Sequence, residues 1–565
     1  MDFFEQSPPE LGNQYVDDRV LRNYLKHTLS PERQSALEPD LQELGEAAGS
    51  WLYDLQLDEY AAEPVHTRYD AWGKRVDRIE LTRVWQEAEP LAARYGLVAR
   101  AYEEPSGATA RVEQMALAYL FIPATDIFGC PLAMTDGAAR ALLEAKNDSL
   151  IDRAVPRLTS RSPEAFWTSG QWMTELPGGS DVSRTETVAR PQDDGSWRLY
   201  GRKWFTSAVT APMALALARP EGNDPGSKGL ALFYTELRDE QGNLQGVEVN
   251  RLKDKLGTRK LPTAELTLDG LPATPVAGLT GGVRAIAPML NITRTWNAIT
   301  AVALMRRGIA LARDFARKRE AFGAPLSKQP LHVDLLAELQ ATFEASFHLA
   351  FRTVELLGEH EAGDRDVSGL LRLLTPIAKL TTAHRGIRVA SEVVEAFGGN
   401  GYVEDTGIPA LLRDMQVLSI WEGTTNVLSL DVLRALEQTG GLDVLLNEID
   451  RCLQQIRQEE LQEVGSTIRA AMDSAAAWLK RADRKGTEAI QAGARRFALT
   501  LGDATALALL ARQAQWQLDH DGDERPLAAA LRFSKGGIDH IRYPGSSVRT
   551  SALANDTPLS AATKK

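Results

Sequence analysis

Leu336, Leu339, Phe343, Phe347, Ala350, Val354 and Leu357 recur at steps of three and four residues. A stripe of that period is one buried face of a helix about six turns long. It can be covered only by other helices of comparable length, which makes a bundle the economical solution. A second long helix is predicted from Gly369 to Phe397, stopped at Gly398-Gly399, where glycine suits a C-terminal cap. Between about 168 and 280 the period changes to two. TETVARPQDDGSWRLYG carries Asp194-Gly195 between two alternating runs, a hairpin signal, and LALFYTEL and TAELTLDG alternate as well.

The predicted architecture is therefore mainly α with a central β domain. Residues 1–166 form an N-terminal arm and a helical domain that includes MALAYLF and DGAARALLEA. Residues 167–281 form the β domain and 282–439 the helical bundle. Residues 440–550 add an extra Ala- and Leu-rich helical domain, and 551–565 read as a flexible tail. A chain of 565 residues that is 44% hydrophobic and 25% charged has ample material for several cores.

Composition excludes several classes. The start, MDFFEQSPPE, is acidic and has no basic n-region, so it is not expected to act as a secretory signal. The most apolar stretch, MALAYLFIPATDIFGCPLAM, is broken by Pro123, Asp126 and Pro131 and is not read as a membrane span. Cys130 and Cys452 are the only cysteines, too few for a disulfide framework or a Cys-rich zinc site, so the reading is cytoplasmic and metal-free. The net charge of −12 opposes bulk attraction to nucleic acid.

The chemistry-bearing pieces are scattered. No GxGxxG, HExxH, GxSxG or P-loop is present. Met173-Thr174-Glu175 with Gly178-Gly179-Ser180-Asp181 offers hydroxyls and close backbone amides to a polar ring, and is otherwise an ordinary loop. Lys203-Trp204-Phe205-Thr206-Ser207 gives an aromatic wall with hydroxyls, or a piece of core. Arg319, with Phe322 and Gln329 after it, could pair with a pyrophosphate or be a solvated helix end. Gly398-Gly399-Asn400-Gly401-Tyr402 lets backbone N–H groups approach a phosphate, or caps a helix. Last, LSIWEGTTN sets Glu422 beside Ile420 and Trp421, an apolar setting for a proton-abstracting base, or a capped surface turn.

In order and spacing these pieces resemble the acyl-CoA dehydrogenase family. TELPGGSDV resembles its TEPxAGSD element, GRKWFTS its GxKxWITN element, and RKREAFGAPL its RxxFGxPL element. AFGGNGY resembles LGGxGY, and IWEGTTNV resembles the YEGTxxI stretch that carries the catalytic Glu. The five lie in family order within about 100–435. RYDAWGKRVD, CPLAMTDGAA, RLKDKLGTR and the extra helical tail are similar to the AidB-type branch, named for a protein of the adaptive response to DNA alkylation.

The resemblance implies an N-terminal α domain, a barrel-like β domain and a C-terminal bundle with FAD between them. It makes Glu422 the base that removes the α-proton of an acyl-CoA while the β-hydrogen leaves as hydride to flavin N5. The thioester carbonyl would be held by the ribityl 2′-hydroxyl and the Glu422 N–H. Met173, Thr174, Gly179, Ser180, Phe205, Thr206, Ser207, Trp421, Thr424 and Asn426 map onto FAD contacts. Ser180, Arg294 and Gly423 map onto substrate contacts. Arg319, Phe322, Gln329, Gly398 and Gly399 map onto the grip that a neighbouring subunit has on the adenine half. A homotetramer and an electron-transferring flavoprotein as acceptor follow from the same resemblance. The sequence departs from the pattern at Gln329, which stands one residue early, at Glu395, where the family has Gln, and at Phe205 and Ala208.

Lys480, Arg481, Arg484 and Lys485 are expected on one helix face, with Arg495 and Arg496 further on. That patch supports a rival reading, a flavoprotein that associates with DNA in alkylation stress. The ordinary alternative is a solvated surface. A third reading is a protein that sequesters acyl-CoA with little turnover.

Overall fold

The computed structural model describes residues 3–103, 107–542 and 547–558. An irregular N-terminal arm leads into α1 (Arg19–Thr28), whose N-cap Asp18 accepts the Leu21 N–H at 3.0 Å. Helices α2 (Pro31–Gly49) and α3 (Trp51–Asp58) follow, then a hairpin of β1 (Val65–Tyr69) and β2 (Arg75–Glu80). After it come α4 (Arg83–Arg94), α5 (Ala110–Ala124), α6 (Gly129–Ala145) and α7 (Asp148–Leu158).

The hairpin was not expected in a domain read as helical. Its strands show no regular alternation of burial and no apolar face, and their most buried residue is the polar Asp77, so the period-two signal is missing. Asp77 ties it to the β domain by accepting the Val249 N–H at 3.0 Å. The apolar run breaks at Asp126 and Ile127, both in the left-handed region, while Pro123 is accommodated inside α5.

The β domain holds β3 (Ser169–Trp172), β4 (Val188–Pro191), β5 (Trp197–Ser207), β6 (Met213–Pro220), β7 (Ala231–Glu236), β8 (Val247–Leu252) and β9 (Thr263–Pro275). The order is β3-β6-β4-β5-β9-β7, with β8 also on β9; β7 pairs with both β9 and β6, which closes the sheet on itself. The expected hairpin is the β4–β5 pair, with Gly195 at φ 81° in its turn. Trp172, Leu199, Phe233 and Leu266 fill the interior.

After α8 (Gly282–Ala285) come α9 (Ala287–Lys318), the two-residue strands β10 (Glu320–Ala321) and β11 (Ala324–Pro325), α10 (Pro330–Glu361) and α11 (Ser368–Ala396). The two long helices read from sequence are α10 and α11. Then follow α12 (Ile408–Val417), α13 (Thr425–Thr439), α14 (Asp443–Leu453), α15 (Glu459–Asp483), α16 (Thr487–Asp521), α17 (Arg525–Lys535) and α18 (Ser547–Ala554). Helix α11 packs on α9, α10 and α13, and α16 packs on α10, α11 and α13, so the extra domain shares the bundle core. The tail expected from 551 overlaps α18, and its last residues, 559–565, lie outside the described residues. Among the described residues no helix is long and apolar enough to cross a membrane.

Candidate active site

Three pieces of chain meet at Glu422: the second turn of α9, the link from α12 to α13, and the middle of α11. Trp421 donates its N–H to Val417, closing the turn that ends α12. The chain then swings through Glu422 at φ 57° and Gly423 at φ 104°. Glycine takes that conformation freely; for a glutamate it is strained and must be held by its surroundings. Thr424 restarts the helix as the N-cap of α13, accepting from the Val427 N–H at 3.4 Å.

The surroundings are specific. Thr293 Oγ1 donates to Glu422 Oε2 at 2.6 Å. Arg294 Nε donates to the Glu422 carbonyl at 3.3 Å, and its Nη1 reaches Asp431 at 2.9 Å, which Arg372 also holds at 2.8 Å. Arg294 is thus no surface arginine. Lys379, on α11, donates to the Gly423 carbonyl at 2.8 Å. Five residues on, His384 Nε2 meets Thr425 Oγ1 at 2.8 Å. Trp421 Nε1 donates to Asn297 Oδ1 on α9. Ile420, expected to help dry the site, instead points outward at 59% exposure.

The β domain brings its own two motifs together. Trp204 N–H donates to the Thr174 carbonyl at 3.0 Å, which sets GRKWFTS beside MTELPGGSD. Beneath them a buried ion pair joins the motifs: Lys203 Nζ lies 2.6 Å from Glu175 Oε1, with side chains 0% and 2% exposed. Glu175 also accepts from the Thr187 hydroxyl at 2.5 Å and the Glu186 N–H at 2.6 Å. Burial lowers the Lys203 amine and Glu175 pulls it the other way.

A β-bulge between Lys203 and Thr206 then sorts the expected contacts, turning Phe205 outward and Thr206 inward. Phe205 is 54% exposed under Lys253, whose Nζ lies 4.7 Å from the ring centre. Ser207 Oγ is 3.1 Å from Thr263 Oγ1. Thr206, between them, is buried and donates to the Ala264 carbonyl at 2.7 Å, so its hydroxyl is committed to the sheet and not offered to a ligand. Met173 and Thr174 are half-buried, and Gly179 and Ser180 are exposed. Lys255 reaches Thr263 Oγ1 at 3.0 Å, and burial brings its amine down to about 8. Cys130, at the start of α6, faces both Lys255 and Glu422, and burial pushes its thiol up to about 12.

The remaining expected residues collect at the far end of the bundle. Phe315 on α9 stacks on Phe397 after α11 with ring centres 4.5 Å apart. That contact brings together the segments bearing Arg319 and Gly398-Gly399. Arg319 donates to Gln6 Oε1 at 3.3 Å and lies over the Phe4 ring. Gln329 braces the β10–β11 turn through the Ala321 carbonyl at 2.9 Å, and Phe322 at its tip is fully exposed. Asn426 is exposed in the first turn of α13.

The basic residues of the tail do not share one helix face. Lys480 and Arg481 end α15, Arg484 caps it, Lys485 lies in the turn at Gly486, and Arg495 and Arg496 stand on α16. Arg495 is engaged by His384 at 3.2 Å. His384 therefore links the extra domain to the residue that opens α13.

Sequence reasoning missed Thr293, Lys379, His384, Glu175, Lys203, Lys255 and Cys130 as parts of the site. Glu175 and Lys203 carried no signal of their own, since Lys203 follows Arg202 and Glu175 lies in a loop beyond β3, where charges are ordinary.

Comparison with known proteins agrees with this geometry. Models of the acyl-CoA dehydrogenase middle and C-terminal domains match residues 170–271 and 280–437. A model of the adaptive response protein AidB N-terminal domain matches 6–164, and one of the acyl-CoA dehydrogenase 11 C-terminal domain matches 441–556. Acyl-CoA dehydrogenase family member 11 of Caenorhabditis elegans is 41% identical over 92% of this chain and 86% of its own length. The chain belongs to the acyl-CoA dehydrogenase family. Its named relatives include acyl-CoA dehydrogenases, which makes the chain an oxidoreductase acting on acyl-CoA. The putative acyl-CoA dehydrogenase AidB of Escherichia coli is 33% identical over 82% of this chain and 88% of its own. The structure of C. elegans ACDH-11 in complex with C11-CoA superposes with a TM-score of 0.93 at 38% identity, covering 98% of this chain and 96% of that one.

Proposed function

We propose that this family member dehydrogenates an acyl-CoA between Cα and Cβ, with Glu422 as the base. One observation carries the reading. Thr293 occupies Glu422 Oε2, which leaves Oε1 to take the α-proton. Among the described residues the Glu422 N–H has no protein acceptor, whereas Trp421 N–H is used. An unspent donor beside the base is what a developing negative charge on a thioester oxygen needs. Arg294 and Lys379 hold the two carbonyls of the turn, so neither carbonyl points at that oxygen's site.

The residues suit FAD. Phe205 offers an open aromatic face at the end of a strand, next to the hydroxyls of Thr174 and Ser207. Bound there, FAD supplies the acceptor for the hydride that leaves Cβ. Arg319, Phe322, Gln329, Gly398 and Gly399 fit a phosphate or adenine contact, but not within one chain. Arg294 and Arg319 stand 25 residues apart on one helix and its C-cap, about 38 Å at 1.5 Å per residue. The grip must come from a second copy whose bundle end meets this chain's shelf. The exposed Phe322, Leu331 and Tyr402 give that end an apolar surface for a copy to cover. A dimer is the smallest complete unit, a homotetramer is in keeping with the family, and an electron-transferring flavoprotein is the proposed acceptor.

DNA association is the weaker reading, because Arg495 is engaged internally and the patch is spread over two helices and a turn. Sequestration without turnover is distinguished by anaerobic mixing with acyl-CoAs, beginning with a C11 thioester, the ligand of the C. elegans neighbour. Rapid bleaching of the flavin is the expected result. Spectral perturbation without bleaching, across chain lengths, would favour sequestration.

A further inference from the structure

Lys379 has no exposed surface, and it sits in the middle of a bundle helix. Among the described residues its one hydrogen-bond acceptor is the Gly423 carbonyl at 2.8 Å. Among the described residues no carboxylate lies within ion-pair distance of it. Lys203, the other lysine buried this completely, has Glu175 at 2.6 Å. An ammonium taken out of water for a single neutral acceptor costs several kcal/mol. Bundle packing alone would favour Leu or Met at this position, so the lysine points to a task.

The task is next to it. Glu422 is held in the left-handed region at φ 57°, and Gly423 at φ 104°. Such a turn persists only if its neighbours fix it. Arg294 grips the first of its two carbonyls and Lys379 the second. Losing either grip leaves a carbonyl unsatisfied and lets the peptide rotate, which swings the Glu422 side chain.

We propose that Lys379 is a positioning residue for proton abstraction: by holding the Gly423 carbonyl it keeps Glu422 in the conformation that aims its carboxylate at the substrate. The proposal rests on Glu422 being the base. Its environment agrees with a lysine kept for function. Burial is the largest influence and brings the amine down to about 7, the Glu422 carboxylate raises it, and Arg294 lowers it.

The test uses the flavin-loaded full chain with an acyl-CoA that bleaches it. Lys379→Met keeps the side-chain volume and removes the donor. It should retain flavin and bind acyl-CoA within a few-fold of wild type. Its limiting rate of flavin bleaching should fall about 100-fold, the penalty of a reacting group misplaced by about 1 Å. Lys379→Arg keeps a cationic donor and should recover a substantial part of that rate. A Lys379→Met protein that bleaches at the wild-type rate overturns the proposal. So does one that cannot hold flavin or fold, because the lysine is then structural. If Glu422→Gln itself bleaches normally, the reading of the base has failed. If Glu422→Gln is inactive while Lys379→Met is not impaired, only the role of Lys379 has failed.

Discussion

The Lys203–Glu175 pair offers a quantitative test of how the cofactor shelf is built. Lys203→Met strands a carboxylate that is 2% exposed. Removing one partner of a buried pair costs about 3–5 kcal/mol. Glu175 keeps the Thr187 hydroxyl and the Glu186 N–H, so the lower figure, about 3 kcal/mol, applies. Glu175→Gln removes the negative charge and leaves the Lys203 ammonium with neutral acceptors, the amide oxygen and the Leu217 carbonyl at 2.7 Å, and should cost a similar amount. The double variant removes both charges and should lose less than the two singles combined, with a coupling of about 2 kcal/mol. Because the pair joins the two motifs beside Phe205, the loss should also appear as weaker flavin binding. Three kcal/mol of loop opening raises the apparent Kd up to about 100-fold. The assay is a four-member cycle read by thermal unfolding of the apo protein and by FAD titration. If the double variant equals the sum of the singles, or each single binds FAD as wild type does, the pair does not support the shelf.

Other outcomes follow from particular contacts. Arg319→Ala should lose FAD on dilution while leaving the fold intact; full flavin retention would remove Arg319 from the adenine grip. Arg495→Ala frees His384 from the extra domain and should slow flavin bleaching about two- to tenfold, the worth of one hydrogen bond, whereas Arg484→Ala should not; equal rates would cut the link through Thr425. Buried His348 is held neutral, chiefly by burial and then by Arg512, His27 and Arg525, so that it protonates only near pH 3 when folded, against an ordinary 6.5. The unfolded chain binds that proton first as pH falls, so stability declines below about pH 6.5, by about 2 kcal/mol at pH 5. His348→Leu should remove that part of the slope in denaturant titrations at pH 7.5 and 5, and an unchanged slope would refute the assignment.

Periodicity carries far in this chain because long elements bury whole faces. α10 and α11 are written as stripes, and the β4–β5 hairpin as alternation around Asp194-Gly195. The β1–β2 hairpin is invisible because neither face is apolar, and its stability comes from Asp77 reaching Val249, 172 residues away. The site divides the same way. Glu422 stands out beside Trp421, but its partners Thr293 and Lys379 share their helix faces with other polar residues, such as Asn297, Thr375 and Thr382, and are not singled out by pattern. Their meaning appears only when α9 and α11 pack against a turn 129 and 44 residues distant. Thr206 could not be assigned inward by alternation, because counting from the buried Lys203 puts Phe205 and Ser207 inward; a bulge between Lys203 and Thr206 reverses the faces. The basic patch looked like one helix face because Gly486, at φ 89°, was not read as the break between α15 and α16.

The most direct measurement is single-turnover flavin reduction by Glu422→Gln under anaerobic conditions. Glutamine keeps the shape and the contact with Thr293 but cannot take a proton. The variant should keep its full flavin content, bind acyl-CoA with a spectral shift, and bleach at least 100-fold more slowly, as removal of a general base requires. Bleaching at more than a tenth of the wild-type rate would mean that another group removes the α-proton.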